Sequence, residues 1–148
     1  MALPRSEETP LDGYVVDAQV GFLLRRVHQR HSVIFQEGMR QAELTPTQFT
    51  ALVKAVELGR VTQNHLGRLA AMDPVTTQGV VRRLAARGLL RRLRNPADRR
   101  TTVLAPTAAG AALIAHAVPS ARAITDATLA PLTPAERTTF LSLLAKLI

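Results

Sequence analysis

The 148-residue chain contains no cysteine and no tryptophan, and only one tyrosine and four phenylalanines. Without cysteine there is no disulfide framework, no thiolate zinc or iron–sulfur site, and no thiol nucleophile or thiol-based sensor. Aromatics at 3% leave a core of Leu, Val and Ala, a composition that suits helices better than a β-sandwich. No apolar run approaches the roughly 18 residues that span a bilayer. The opening stretch MALPRSEETPLDG is polar and acidic and does not read as a signal peptide, so a cytoplasmic protein is expected. Catalytic signatures are missing as well: no Ser/His/Asp or Cys/His set, no glycine-rich phosphate loop, no close carboxylate pair. Neither an enzyme nor a cofactor is expected. His28 and His31 stand three apart on a helical pattern, but no third ligand is near them in sequence, and no metal site is expected.

What is present is enough apolar residue for a core, 47%, in a length that fits one compact subunit. Formal net charge is +8 and unevenly placed. Residues 60–100 hold ten arginines against two acids, Asp73 and Asp98, while the rest of the chain balances nine basic residues with nine acids. One segment therefore carries the whole excess. A local block of this kind points to a polyanion surface, where diffuse charge would indicate only solubility. It lacks the wide apolar face of a membrane-surface helix, so no membrane partner is expected.

Residues 1–12 hold Pro4, Pro10 and three acids and read as a flexible arm. From about residue 14 to 42 the pattern is helical: Val16, Val20, Leu23, Leu24, Val27, His31, Ile34 and Phe35 recur three and four apart. So long an apolar stripe predicts packing against a second chain. Thr45-Pro46-Thr47-Gln48 is a helix start, with Thr as cap, Pro at the first helical position and Gln completing a capping box. That helix carries Phe49, Leu52, Val53 and Val56 inward and ends at Gly59. Thr62 caps a short helix over residues 63–71, with Leu66, Leu69 and Ala70 on one face. Asp73-Pro74 opens another, whose core face is Thr77, Val80, Val81 and Leu84 and which Gly88 closes after Arg87.

Residues 89–94 and 101–104 are short extended runs around Asn95-Pro96-Ala97-Asp98, which is turn chemistry. They predict a β-hairpin with arginines on both arms and at its tip. Pro106-Thr107 opens a long Ala-rich helix expected to bend at Pro119. Thr133-Pro134-Ala135-Glu136 repeats the capping box and opens a last helix, with Phe140, Leu143, Leu144 and Leu147 inward.

Short helix, tight turn, second helix, basic hairpin is the order of a winged helix-turn-helix. The expected fold is mainly α with a small β-hairpin wing, residues 44–105 forming the winged region and 13–43 with 106–148 forming dimerisation helices. A recognition helix must hold the core with one face and offer small polar or basic groups on the other. With Thr77, Val80, Val81 and Leu84 inward, the turn from Val75 to Gly79 is slim enough for a major groove. Thr76 and Gln78 then bond base edges, Val75 meets a thymine methyl, and Arg82 and Arg83 sit where phosphates lie. Thr62, Asn64 and Thr77 complete this DNA-contacting set. On the wing, Arg94, Arg99 and Arg100 surround a thin turn suited to a narrow minor groove, where the potential is most negative. Asp98 is either an ordinary turn residue or a partner that pairs with Arg100 and fixes its direction.

These residues resemble the MarR family of bacterial transcriptional regulators. The similarity runs through Leu44-Thr45-Pro46-Thr47-Gln48-Phe49, Leu66-Gly67-Arg68-Leu69-Ala70 and Val80-Val81-Arg82-Arg83-Leu84-Ala85-Ala86-Arg87-Gly88-Leu89-Leu90. It continues through the wing, Asn95-Pro96-Ala97-Asp98-Arg99-Arg100, to Leu104-Ala105-Pro106-Thr107-Ala108-Ala109-Gly110. The resemblance implies a homodimer with interleaved terminal helices, two winged regions on a pseudo-palindromic operator in double-stranded DNA, and control by a small effector. In that family the effector is often a phenolic or aromatic acid, held between the dimerisation helices and the winged region. Family wings have an Asp-x-Arg pair, here Asp98 and Arg100, which implies Arg100 as the minor-groove finger. Gly79 and Arg82 depart from the usual recognition helix, so an operator sequence does not carry over.

A pocket for an anionic aromatic ligand needs a cation or hydrogen-bond donors in an apolar wall. Arg25, His28 and His31 on the first helix are candidates, with Phe49 as either core or pocket wall and His65 lining the pocket or touching phosphate. His31 falls on the apolar stripe, where it either contacts ligand or hydrogen-bonds across the dimer interface. Arg25, with Arg26 and Arg30, more often reads as a solvated helix face. The expected function is a ligand-released regulator, in all expectation a repressor, answering to an aromatic or N-heteroaromatic carboxylic acid or a phenol. The alternative is an effector-independent or architectural DNA-binding protein.

Overall fold

The structure, a computed structural model, describes residues 11–148. The arm expected over 1–12 therefore lies, apart from its last two residues, outside the described residues. A 3-10 turn at Val16–Ala18 leads into α1 (Val20–Gly38), followed by α2 (Pro46–Leu58), β1 (Val61–Thr62), α3 (Gln63–Leu69) and α4 (Pro74–Ala86). Then come β2 (Leu90–Leu93), β3 (Val103–Pro106), α5 (Ala108–Thr128) and α6 (Pro134–Ala145).

The helix starts follow local chemistry. Thr45, Thr62, Asp73, Thr107 and Thr133 each accept, through a side-chain oxygen, the backbone N–H three residues on, at 2.8–3.3 Å. This satisfies one of the donors that every helix N-terminus leaves orphaned. Thr45 with Gln48 and Thr133 with Glu136 form full capping boxes, and Pro46, Pro74 and Pro134 open their helices. By contrast α1 has no side-chain cap, and it is shorter than its apolar stripe suggests. It ends at Gly38 in a turn that carries Glu43 at φ 52, a left-handed conformation that costs a non-glycine residue energy. The long helix starts at Ala108 because Pro106 belongs to β3 and Thr107 is the cap. It passes unbroken through Pro119.

The hairpin gains a strand that the sequence does not announce. The sheet is antiparallel in the order β1-β3-β2, with Val61 opposite Leu104 and Leu90 opposite Pro106. Two residues are too few for an alternation pattern, so β1 reads only as the lead-in to a cap. Leu52, Leu66, Val81, Leu84 and Leu104 are fully buried where α2, α3, α4 and β3 meet. Phe35 of α1 and Met39 just past its end close this core on one side, and Ile114, Ala117 and Ile124 of α5 on the other. Leu69, expected inward, is 40% exposed, because α3 ends at that residue and turns away.

The apolar stripes of α1 and α6 remain open to solvent in the single chain. Val20, Leu23, Leu24 and Val27 are all exposed, and so are Leu143 and Leu147, expected inward. Phe140 and Leu144 are half-buried.

Gly110 sits where α5 crosses the end of α4. A Cβ there would collide with the backbone carbonyl of Leu89, which has no rotamer to yield with. Gly110→Ala is expected to cost about 1–3 kcal/mol, read as a lower urea midpoint with unchanged slope. Gly79→Ala, whose Cβ meets only an arginine tip at 3.4 Å, is expected to cost nothing.

Candidate functional site

One face of α4 is anchored by Thr77, Val80, Val81 and Leu84, all 3% exposed or less. The remaining circumference is thereby committed outward: Val75, Thr76, Gln78, Arg82 and Arg83 are exposed, Val75 at 81%. Thr77 is a correction. Its hydroxyl donates to the Asp73 carbonyl at 2.7 Å and its side chain abuts Gly67, so it locks the α3–α4 turn and has no access to DNA.

Thr76 has a further property. Its N–H and its hydroxyl both donate to the Asp73 carboxylate, at 2.8 and 2.7 Å. These two bonds, the backbone one first, hold the Asp73 carboxyl below the ordinary carboxylate range. The Thr76 hydroxyl has spent its proton and presents only lone pairs and a methyl group outward. Asn64 and His65 lie exposed on α3, and Thr62, half-buried, is occupied in capping it.

On the wing, Arg94, Arg99 and Arg100 are exposed around the turn that joins β2 to β3. Asp98 makes no ion pair with the Arg100 guanidinium, so of its two readings the side-chain pairing falls. Its two oxygens accept instead the Arg100 backbone N–H and the Thr101 hydroxyl, both at 2.9 Å, and in that order these bonds lower its pKa. Asp98 shapes the main chain from which Arg100 projects. Thr101, not singled out beforehand, completes that turn; an Asp followed at two and three residues by a donor is its signal. Among the described residues the ion pairs are Lys54–Glu57 and Asp126–Arg137, both outside the arginine block.

The effector candidates are not gathered into one place. An apolar cleft of about 690 Å³ lies between α1, α5 and α6, and His28 and His31 line it. With them are Thr125 and Thr128, which had no sequence signal pointing to α1. The Thr128 hydroxyl donates to the Ile124 carbonyl at 2.8 Å, so it accepts from His31 Nδ1 at 2.9 Å, which makes Nδ1 the protonated nitrogen. Arg25 stays off the cleft and lies over the Phe22 ring at 5.6 Å. Steps of three residues drift by about 60° around a helix, enough to carry Arg25 away from His31. Phe49 packs edge-on against Phe35 at 6.1 Å, as part of the core side of α2, and His65 belongs to α3, which contributes nothing to the cleft. Arg30 has the more defined role, its guanidinium donating to the Ala127 and Thr128 carbonyls at 2.9 and 2.6 Å at the end of α5.

Residues 44–102, the span that runs from the start of α2 through α4 and β2 to the wing turn, match the MarR family model. Over 141 residues, 94% of this chain and 89% of the relative, the chain is 40% identical to the HTH-type transcriptional repressor NicR of Pseudomonas putida. The chain belongs to the MarR family. It is a transcriptional regulator built on the family's winged helix-turn-helix fold. A probable transcriptional regulator from Pseudomonas aeruginosa superposes with a TM-score of 0.88 at 44% identity, over 90% of this chain and 100% of that one. BpsR of Bordetella bronchiseptica, whose structure concerns regulation of its DNA binding by 6-hydroxynicotinic acid, superposes at 0.87 with 40% identity. That match covers 90% of this chain and 96% of BpsR. No helix among the described residues is long and apolar enough to cross a membrane.

The depressed Asp73 carboxyl has a consequence for stability. A group whose pKa is lowered by folding stabilises the native state above its ordinary pKa, and that contribution disappears as pH falls through the folded value. Asp73→Ala is expected to melt below the wild type at pH 6, and the gap to narrow as pH drops below 3.8, followed by circular dichroism.

Proposed function

We propose that the protein is a homodimeric repressor that occupies a pseudo-palindromic operator and releases it when a small aromatic or N-heteroaromatic carboxylic acid, or a phenol, binds. The observation that carries the DNA-binding part is the coincidence of two features: an arginine block without ion pairs among the described residues, and the outward face of α4. In this reading residues 44–105 bind DNA and the helices in 13–43 and 106–148 dimerise, covering the apolar stripes that a lone chain leaves open. The two α4 helices then enter successive major grooves about 34 Å apart. The cytoplasm is the compartment such a function requires.

Gln78 and Thr76 read bases, with Val75 beside them. Because the Thr76 hydroxyl is bound to Asp73, it selects a base edge that donates, adenine N6 or cytosine N4. Arg82, Arg83, Thr62 and Asn64 lie toward phosphates, and Arg100, flanked by Arg94 and Arg99, enters the minor groove. The effector class is supported by the similarity to BpsR and by the His28 and His31 imidazoles, which line an otherwise apolar cleft. Binding shifts the dimer only as far as ligand affinity differs between the operator-competent and incompetent spacings.

Fluorescence anisotropy on the DNA upstream of its own gene, with and without 6-hydroxynicotinic acid and related acids, tests this reading. Tight, salt-sensitive binding relieved by one acid is the expected result. Binding that no acid relieves would overturn the effector part and leave an effector-independent DNA-binding protein. Arg100→Ala is expected to weaken binding on all sequences and reduce the salt slope by about one, whereas Gln78→Ala relaxes preference at one or two base pairs by about 1–3 kcal/mol. An Arg100→Ala protein with unchanged affinity and slope would remove the wing from the interface.

A further inference from the structure

The chain crosses twice between the terminal helices and the winged region, at residues 39–45 and at residues 106–107. Both crossings are held by the same three consecutive residues, Arg87, Gly88 and Leu89, which form the turn that leaves α4. The Arg87 guanidinium reaches across 44 and 45 positions of sequence to donate to the Glu43 carbonyl at 2.7 Å and the Ala42 carbonyl at 3.0 Å. On the other side, the Thr107 hydroxyl donates to the Gly88 carbonyl at 2.6 Å and its N–H to the Leu89 carbonyl at 3.1 Å. The second crossing is further fixed by backbone contact, since α5 passes the Leu89 carbonyl at Gly110 with no room for a side chain. The first is seated by burial of Met39, Ala42 and Leu44 in the core and has no comparable backbone clasp from α4; its directional hold is the Arg87 side chain.

We propose that Arg87 is a positioning residue for DNA binding, a latch that sets the angle of the winged region against α1. Three observations support it. The fork geometry of a guanidinium on two adjacent carbonyls fixes direction as well as distance, which a single donor does not. The acceptor turn holds Glu43 at φ 52, a conformation disfavoured for a residue with a side chain and one that persists only where the surroundings impose it. Arg87 is also the last residue of the recognition-helix segment, so a small rotation at this point displaces the leading turn of α4, some three helical turns away, by several times as much. Alone among the arginines of the block, Arg87 is thus used inward, on main-chain oxygens, among the described residues.

The absence of native cysteine permits a direct measurement. Spin labels at Glu37→Cys on α1 and Gln78→Cys on α4, diluted in excess unlabelled protein, report the intramolecular distance between the two helices by dipolar EPR. Free protein with Arg87 intact is expected to give a narrow distribution, Arg87→Met a broad one, and Arg87→Lys an intermediate one. A narrow distribution in Arg87→Met and Arg87→Lys alike would overturn the latch. In a second arm, unlabelled Arg87→Met and Arg87→Lys are titrated onto operator DNA with and without 6-hydroxynicotinic acid. The ratio of the two operator affinities is expected to shrink about 2- to 30-fold in Arg87→Met, with partial recovery in Arg87→Lys. A ratio unchanged from wild type would also overturn it. This arm rests on the effector reading above; if the acid leaves wild-type binding untouched, that reading fails while the distance measurement still decides the latch. Should Arg87→Met fold poorly, Arg87→Lys alone retains the test, since its single donor cannot reproduce the fork.

Discussion

Burial of one face of α4 is the constraint from which the rest of the winged region follows. Val80, Val81 and Leu84 are packed among Leu52, Leu66 and Leu104 with almost no exposed surface. Once that face is fixed, the helix has no freedom left about its own axis, and every other side chain is aimed by default. Arg82 and Arg83 point outward because their neighbours point in, so the charge that α4 carries is confined to its exposed face. Crowding like charges disfavours the folded state, and apolar burial beneath them offsets it. The surface chemistry is in this sense a product of the core.

Polar groups near that core are disciplined in the same way. Thr77 turns its hydroxyl to a carbonyl, Thr76 turns its own to the Asp73 carboxylate, and Asp98 divides its oxygens between a backbone N–H and Thr101. Each leaves a predetermined set of donors and acceptors facing outward. At these positions the groups left facing outward are set by the fold itself, which reduces the ordering cost of any association they enter.

Much of this was legible in the sequence where the determinant is local. The caps at Thr45, Thr62, Asp73 and Thr133 involve partners three residues apart, and the face of α4 is a matter of helical period. Features that depend on tertiary placement were not. The two residues of β1 have no pattern of their own and become a strand only because Leu104 arrives beside Val61. Arg25, His28 and His31 look alike on a page, yet α5 decides which of them meets Thr125 and Thr128. Thr77 satisfies both the core and the polar criterion in sequence, and only burial at 2% separates the two. Asp98 with Arg100 suggested an ion pair because spacing identifies neighbours but not which atoms they use.

The pairing of β1 with β3 bears on how the chain is made. Val61 finds Leu104 only after α3, α4 and the whole wing have been synthesised, so the sheet is the last part of the winged region to close. On the ribosome the arginine-rich helix emerges before the strand that seals its hydrophobic underside. The capped helix starts allow α2, α3 and α4 to form locally, while the sheet closes over their shared core only with β3, which ends at Pro106. The arginines between residues 60 and 100 are thus in the chain before the strand that completes the core beneath them.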